Sequence, residues 1–272
     1  MEYEIKPKEK LSLGVKELWN YRELFYFFTW RDIKVKYKQT VLGFVWAVLQ
    51  PFFMMVVFTL FFGQALKVPS DNMPYPIFVY SGLLLWNVFS AGLSSAGNSM
   101  VNNANIIKKI YFPRLIIPIS SILVAMFDFL MAFIIFIAML FYYHVSLNLL
   151  SFILLLILSM CITSFATFGL GALLAALNIK YRDFRYIIPF MIQALLFITP
   201  VIYPVSILNQ EWLKYILAIN PMYAAIELFR HSIIPKPLDI NLLMISASSS
   251  ILFFIIGLFY FRKTEAYFAD LA

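Results

Sequence analysis

The segment VSLNLLSFILLLILSMCITSFATFGLGALLAALNI, residues 145–179, contains no charged side chain. A helix needs about 20 mainly apolar residues to cross the roughly 30 Å hydrocarbon core of a bilayer, because each residue adds about 1.5 Å. Four more charge-free segments are long enough, namely residues 41–66, 72–107, 186–210 and 240–261. All five predict transmembrane helices, since only helices and closed barrels satisfy the backbone in lipid.

A sixth segment, residues 115–143, is apolar apart from Asp128 near its centre. A carboxylate facing lipid costs about 2.5 kcal/mol or more, so Asp128 is expected to face protein or water. The favoured interpretation is a hydrogen-bonded or protonated carboxyl that ties two helices together. The neighbouring spans offer no basic partner, which makes ion coupling through Asp128 a poor hypothesis.

Composition indicates the same class, with 62% hydrophobic residues and a mean hydropathy of +0.85. These values exclude a soluble domain. We therefore expect an all-α membrane protein with six transmembrane helices in residues 41–261. Residues 1–40 are expected to form a cytoplasmic N-terminal segment and residues 262–272 a cytoplasmic tail.

The basic residues predict the orientation of the chain. Seventeen of the 21 lysines and arginines lie in residues 1–40, 108–114, 180–185 and 262–263, which six spans would place on one side. Because short basic loops stay in the cytoplasm, both termini are expected there. This topology, together with anionic lipid headgroups, accounts for the net charge of +7 without a nucleic-acid partner.

Several kinds of site and signal are not expected from this sequence. About forty residues with many charges precede the first apolar segment, which argues against a cleavable signal peptide. Cys161 stands alone in a predicted span, and His144 and His231 lie far apart. We therefore expect neither a disulfide framework nor a metal or haem site.

Residues 18–38 predict an amphipathic helix in the cytoplasmic interface. Apolar residues recur at helical spacing and are followed by three basic residues on one face: Leu18, Tyr21, Phe25 and Phe28, then Arg31, Lys34 and Lys38. The alternation of Ile33, Val35 and Tyr37 would also suit a strand, but a lone strand beside a bilayer has no partner. Such a helix is either a simple anchor or a collar that receives an anionic lipid-linked substrate.

Two polar stretches between spans also carry information. Residues 94–114 are rich in Asn and then basic, which suits a short cytoplasmic helix that projects toward a partner, or a plain connector. Residues 212–219 and 222–229 are apolar but too short to cross the membrane, and Asn220 and Pro221 divide them. They predict a pair of re-entrant or interfacial helices on the outer face.

Aromatic residues reach 18% of the chain, with 29 Phe and 16 Tyr. Many are expected in the belts at the two membrane interfaces, with Trp46, Tyr142 and Tyr143 as examples. The alternative is a pore lined by flat rings, on which the C–H faces of sugars can stack.

Three motifs resemble the permease subunits of ABC exporters of cell-surface polysaccharides, the group for O-antigen, capsule and teichoic acid. RDIKVKYKQTVLGFVWAVLQP (residues 31–51) resembles their entry into the first membrane helix. LNIKYRDFRYIIPFMIQALLFITPVIYP (177–204) resembles their fourth loop and fifth helix, and INPMYAAIELFR (219–230) their outer-face segment. The motifs follow the family's order on a chain of the family's length.

The resemblance implies a homodimer with a central channel, which joins two copies of a separate cytoplasmic ATPase. None of the nine glycines is followed by Lys, so this chain lacks a G-x-x-x-x-G-K-[ST] phosphate loop. We therefore expect a transport subunit that is not an enzyme and holds no cofactor. ATP and Mg²⁺ would be bound by the ATPase partner.

The resemblance also assigns roles to individual residues. It implies that residues 94–114 form a coupling helix and that the segment near Arg31 forms an interface helix. The pair of short outer helices would act as gates. The implied site residues are grouped by role: for the channel, Trp46, Phe53 and Tyr186; for lipid-diphosphate entry, Arg31, Lys34 and Lys38; for ATPase coupling, Asn102, Asn105 and Lys108; for the gate, Trp212, Pro221 and Tyr223.

The function implied is export of a polyprenyl-diphosphate-linked polysaccharide across the bacterial inner membrane, with O-antigen preferred over capsule and teichoic acid. An ABC exporter of drugs or lipids is the nearest alternative, because it could share the architecture. A polyprenyl-phosphate glycosyltransferase would need acidic metal ligands, yet no D-x-D occurs. A secondary transporter would show inverted repeats and ionisable groups at the midplane, where only Asp128 is present.

Overall fold

The computed structural model describes residues 15–38 and 43–268, and these residues form helices joined by short loops without a β-strand. The predicted first span and the predicted terminal segments therefore lie partly outside the described residues, in 1–14, 39–42 and 269–272. The helices, in chain order, are α1 (Val15–Asn20), α2 (Arg22–Lys38), α3 (Phe44–Phe58), α4 (Tyr75–Asn102), α5 (Ala104–Ile107), α6 (Ile116–Tyr142), α7 (Leu149–Lys180), α8 (Phe184–Ile198), α9 (Glu211–Ile219), α10 (Met222–Ile233) and α11 (Ile240–Thr264).

Five helices in the described part of the chain are long and apolar enough to cross a membrane. They are α3 with the π-helical turns Thr59–Ala65 that continue it, α4, α6, α7, and α11 with the short extension that ends at Tyr267. Each corresponds to one of the predicted spans. The prediction of an integral all-α membrane protein is confirmed.

The sixth predicted span, residues 186–210, contains a shorter helix. Helix α8 has 15 residues, which gives about 22 Å, less than the roughly 30 Å of the hydrocarbon core. It ends at Thr199, whose extended backbone precedes Pro200, and Pro204 follows. A proline disfavours helical geometry in the residue before it, so the Pro-rich sequence stops the helix early.

Helix α4 is the centre of the bundle. It packs against α3, α6, α7, α8 and α10. Successive residues such as Leu83, Leu84 and Leu85 are all buried, so neighbouring helices cover most of the circumference of α4 there. An apolar surface over most of its circumference suits this central position.

Helices α7 and α11 cross at two glycines. A Cβ atom on Gly257 would clash with the carbonyl oxygen of Gly169, and one on Gly169 would clash with the backbone of Phe253. No side chain fits in that space. The two backbones therefore touch directly, as small residues allow in membrane helix pairs.

Helix α2 confirms the predicted helix in residues 18–38, and the strand alternative is wrong. Phe28 contacts Phe112 just before α6, with ring centroids 5.7 Å apart. Farther along, Ile33 and Tyr37 pack with Val124 of α6. Helix α2 thus runs along the first half of α6, and we call the end of the bundle that holds α2 the collar end.

The opposite end of the bundle, here called the far end, holds α9 and α10. Two short helices are present where the sequence predicts them, divided at Asn220 and Pro221. Their environments differ, because α10 is buried against α4, α7 and α11 whereas α9 lies at the surface. Helix α11 runs back to the collar end, where Glu265 accepts a hydrogen bond from the backbone N–H of Arg114 at 3.1 Å.

Candidate functional site

A cleft of about 910 Å³ lies between α3 and α8, with α4 and α6 behind it. Its lining is mostly apolar but contains the side chains of Gln50 on α3, Asn87 and Ser90 on α4, and Gln193 on α8. Amides and hydroxyls can both donate and accept hydrogen bonds. The cleft can therefore hold a ligand with apolar faces and hydroxyl groups.

The polar side of this cleft was missed in the sequence analysis, although a signal is present. Asn87, Ser90 and Ser94 all line the cleft and follow one another at intervals of three and four residues. That spacing places them on one face of a helix. A polar stripe in an otherwise apolar span indicates a face that meets protein or water rather than lipid.

The three aromatic residues assigned to the channel do not converge within one chain. Trp46 lines the cleft and is 52% exposed. Phe53 is exposed on α3 but does not line it, and Tyr186 lines a separate cavity of about 320 Å³ beside Arg182 and Arg185. Two aromatic residues absent from the prediction, Trp86 and Phe129, do line the cleft.

Asp128 has a basic partner, which corrects the view of it as a carboxylate without one. The ammonium of Lys36 forms an ion pair with it, and the hydroxyl of Tyr37 donates a hydrogen bond to its other oxygen. The partners come from α2, not from a neighbouring span, so the search of the spans missed them. The expectation that a hydrogen-bonded Asp128 ties two helices together is confirmed.

An aromatic cluster surrounds this ion pair. The ring of Tyr37 stacks on Phe44 of α3 with centroids 4.4 Å apart, and both contact Phe127 of α6. Burial and the neighbouring Asp128 both raise the pKa of the Tyr37 hydroxyl, so this group stays protonated as a donor. Three helices therefore meet at the collar end of the cleft, where Lys36, Tyr37 and Asp128 are part of its lining.

The three basic residues assigned to lipid-diphosphate entry lie in different environments. Arg31 donates a hydrogen bond to Asn103 at 3.0 Å, and its guanidinium also contacts Asp32 and the ring of Phe28. Lys34 is exposed and lies 5.2 Å from the ring centroid of Trp30, and Lys38 is exposed as well. None of the three lines the cleft, whereas Lys36 does.

The residues assigned to ATPase coupling are all exposed at the collar end. Asn102 ends α4, Asn105 lies on the short α5, and Lys108 directly follows α5. The ring of Tyr111 and the side chain of Ile110 are 69% and 62% exposed beside them. We call residues 102–111 the coupling segment.

The residues assigned to the gate do not form one group. Trp212 is 59% exposed on α9, whereas Pro221 and Tyr223 are buried at the start of α10. Trp212 belongs to an exposed apolar face of α9 that also includes Tyr215, Ile216 and Ile219.

A buried network of charges holds the far end together. Lys236 forms ion pairs with Asp71 at 2.9 Å and with Glu227 at 2.6 Å, and Glu227 lies 3.6 Å from Arg230. Glu227 and Arg230 are 4% and 1% exposed. The sequence did not predict this network, although Glu227 is only three residues from Arg230, whereas Asp71 lies 165 positions from Lys236.

Arg230 also binds the non-helical backbone that follows α8. Its guanidinium donates hydrogen bonds to the carbonyl oxygens of Pro200 and Val201 at 2.7 and 2.8 Å, and to that of Phe78 at 3.1 Å. A buried carbonyl without a donor costs free energy, so Arg230 stabilises the non-helical residues.

Asp71 lies in the loop that leads to α4, outside the helices. Burial alone would raise the pKa of Asp71, but hydrogen bonds from Ser206 and Lys236 and the positive charges of Lys236 and Arg230 lower it below its ordinary 3.8. The carboxylate is therefore ionised at neutral pH. The residues described here contain no group of three or more His, Cys, Asp or Glu side chains that could hold a metal ion.

The family model for the ABC-2 type transporter matches residues 23–234, most of the chain. The chain belongs to the ABC-2 type transporter family. The matched range starts in α2 and ends just after α10, so it contains the cleft, the coupling segment and most of the far-end network.

Relatives of this ABC-2 type chain include two kinds of named transport protein. It is 28% identical to an O-antigen export system permease protein RfbA of Klebsiella pneumoniae, over 92% of this chain and 95% of that protein. It is 28% identical to the protein of the same name from Myxococcus xanthus, over 76% of this chain and 79% of that one. It is 23% identical to the polysialic acid transport protein KpsM of Escherichia coli, over 75% and 79%.

Proposed function

We propose that this chain is the membrane subunit of an ATP-driven exporter that moves polyprenyl-diphosphate-linked polysaccharide, O-antigen in particular, across the bacterial inner membrane. The observation that carries the proposal is the similarity to O-antigen export permeases along nearly the whole chain. The cleft supports it, because its lining combines aromatic rings with amides and hydroxyls. Sugars need both kinds of surface, since their C–H faces stack on rings and their hydroxyls need partners.

Energy would come from two copies of a separate ATPase, which bind ATP and Mg²⁺. The absence of a phosphate loop from this sequence supports this division of labour. The exposed coupling segment offers the ATPase two kinds of contact, polar through Asn102, Asn105 and Lys108 and apolar through Ile110. Such a mixture is typical of a protein interface.

A homodimer would complete the channel. Helix α3 has only Pro51 and Met55 buried, and α8 only Ile188, so both walls of the cleft present broad apolar faces. A second copy of the chain placed against these faces would enclose the cleft. Trp46, Phe53 and Tyr186 would then approach one another across the interface, which a single chain does not allow.

The chain would cross the membrane six times with both termini in the cytoplasm. The sixth crossing would combine α8 with residues 199–204. Arg230 donates hydrogen bonds to the carbonyls of Pro200 and Val201 in this segment, and non-helical backbone in a membrane requires such partners. Helices α9 and α10 would act as gate helices at the outer face. Trp212 would contact the lipid interface there, while Pro221 and Tyr223 would set the position of α10.

Export of a capsular polysaccharide is the second candidate. The similarity to the polysialic acid transport protein KpsM favours it, at lower identity than the similarity to the O-antigen permeases. Both candidates require the same architecture and differ in the cargo.

The test of function is deletion of the gene in its own bacterium. Without the permease, lipid-linked polysaccharide should accumulate on the cytoplasmic side and surface polysaccharide should disappear, and a plasmid copy should restore both. Analysis of the retained polymer separates O-antigen from capsule. Normal surface polysaccharide in the deletion strain, together with loss of export of a drug or lipid, would contradict the proposal.

The test of orientation uses single cysteines in a Cys161→Ser background. Cysteines at Asn148 and Pro235 should react with an impermeant thiol reagent applied from outside, while those at Asn103 and Asp183 should react only after the cells are opened. Outside labelling at Asn103 would exclude the six-span arrangement.

A further inference from the structure

Helix α2 is attached to the bundle through polar contacts at two separate places. At the first, Arg31 donates a hydrogen bond to Asn103, a residue of the coupling segment that itself bonds the backbone of Ser99 in α4. At the second, Lys36 and Tyr37 hold Asp128 on α6. One helix therefore touches both the expected ATPase contact and the collar end of the cleft.

The part of α2 between these attachments is short and well supported. Lys36 follows Arg31 by five positions, which corresponds to about 7.5 Å along a helix. Ile33 and Tyr37 are buried against Val124, so the helix cannot move away from α6 without uncovering apolar surface. A short packed helix of this kind transmits a displacement instead of absorbing it.

The second attachment also limits access to the cleft. Lys36, Tyr37 and Asp128 line the cleft next to Gly43 and Trp46, so they form its boundary at the collar end. If Asp128 released its partners, the exposed side chain of Lys36 could swing out of the cleft mouth while Tyr37 stayed packed against α6. The cleft would then be wider at the end where a cargo from the cytoplasmic side enters.

We propose that α2 is a strut that couples nucleotide-driven movement of the coupling segment to the width of the cleft, with Arg31 as its input contact and the Lys36–Tyr37–Asp128 latch as its output. The proposal rests on the proposed function only in that it assumes an ATPase at the coupling segment. It assigns Asp128 the role of a positioning residue. Asp128 holds the entrance closed and does not bind a coupling ion.

Coupling between two sites requires an element with two states whose equilibrium both sites shift. Here the two sites are the coupling segment and the cleft, and the element is the latch. The latch has two states because an ion pair with an added hydrogen bond is either formed or broken. Lys36 is partly exposed, so the pair contributes little stability and can open during each cycle.

The experiment measures access to the cleft directly. The permease–ATPase complex, purified in lipid nanodiscs, carries Cys161→Ser and a single reporter, Ser90→Cys, which lies in the cleft lining. The rate of alkylation of the reporter by a maleimide is measured without nucleotide and with a non-hydrolysable ATP analogue. In the parent complex we expect the analogue to change the rate several-fold, and an unchanged rate would overturn the proposal.

The variants separate the two ends of the strut. Asp128→Asn and Lys36→Gln should raise the rate without nucleotide several-fold, because the latch is open. Arg31→Met should leave the resting rate low but abolish the response to nucleotide, because α2 loses its hydrogen bond to Asn103 of the coupling segment. A resting rate unchanged by Asp128→Asn, or a nucleotide response that survives Arg31→Met, would overturn the proposal.

Two controls protect the interpretation against general loss of structure. Arg22→Gln changes an exposed basic residue on the same helix, fourteen positions before Lys36, so it should behave as the parent does. Exchange of the pair, Lys36→Asp with Asp128→Lys, should restore the low resting rate that each single variant loses. A folded exchange variant with a high resting rate would refute the latch. Because no cargo is needed, an incorrect cargo assignment would fail the export assay and leave this result intact.

Discussion

The charges at the two ends of the bundle are used in opposite ways. At the far end, Glu227 and Arg230 are buried and form a network with Lys236 and Asp71. At the collar end, Lys38 and Lys108 are exposed, and so is Lys36 in its ion pair with Asp128. Buried charges fix a structure, whereas exposed charges remain accessible to lipids and proteins. The far end is therefore built as a permanent structure and the collar end as a surface for partners.

The largest expected effect is at Arg230. Arg230→Met should lower the free energy of unfolding by about 3–5 kcal/mol, because Glu227 loses one of its cationic partners and three carbonyls lose their donor. Thermal unfolding in detergent measures the change. Arg182→Met, at the exposed collar end, is the matched control and should change stability by less than about 0.5 kcal/mol. Similar losses in both variants would remove the contrast between the ends.

A smaller effect is expected at Asp71, with a defined pH dependence. The pKa of Asp71 is lowered in the folded chain, so its stabilising effect is complete above the ordinary value of 3.8 and is lost as the pH falls through the folded pKa. Asp71→Asn should therefore cost about 1.5 kcal/mol at neutral pH, where hydrogen bonds to a charged group are lost. Melting curves of the two proteins should converge as the pH is lowered through that folded pKa. A difference that persists unchanged in acid would contradict this account.

At the coupling segment the effect should be on assembly and not on stability. Asn105→Asp with Lys108→Glu places two negative charges on the exposed patch, which should weaken ATPase binding by about 1–2 kcal/mol if the patch is the interface. Co-purification of the ATPase measures binding, and the melting temperature of the permease should stay at the parent value. Asp183→Lys, in a different exposed loop at the same end, serves as the comparison. Equal loss of binding in both would place the interface elsewhere.

The smallest effect is expected at the exposed lysines of α2. Each charge near an anionic membrane surface contributes about 1 kcal/mol, so removal of one charge by Lys34→Gln or Lys38→Gln should slow export by about fivefold at most. Export is measured relative to the amount of protein in the membrane. Arg31→Gln should behave differently, because Arg31 bonds the coupling segment and is not a free surface charge. Identical effects at all three positions would support the original hypothesis, in which Arg31, Lys34 and Lys38 act together as surface charges.

The sequence predicted the spans well because hydropathy is a local property. Five of the six predicted segments contain a helix that is long and apolar enough to cross. The sixth segment does not form a full-length helix, because Pro200 and Pro204 lie inside it. The absence of charge makes the segment look like a span, whereas proline disfavours helical geometry in the residue before it. Attention to these two residues would have shortened the predicted helix.

The candidate site was harder to predict, because its contacts are distant in sequence. Lys36 and Asp128 are 92 positions apart, and Arg230 and Phe78 are 152 apart. The residue types in a single sequence do not indicate that such distant residues are in contact. The polar stripe of Asn87, Ser90 and Ser94 was different, since its helical spacing is visible in the sequence.

The direct contact between Gly169 and Gly257 has a practical consequence for measuring motion in this protein. Two helices whose backbones touch at a crossing cannot come closer there, so the distance between positions beside the crossing should stay fixed while the walls of the cleft move. A pair of spectroscopic probes beside the crossing, one on α7 and one on α11, would thus serve as an internal ruler. Any change between α8 and that ruler during ATP hydrolysis would be a displacement of the cleft wall itself.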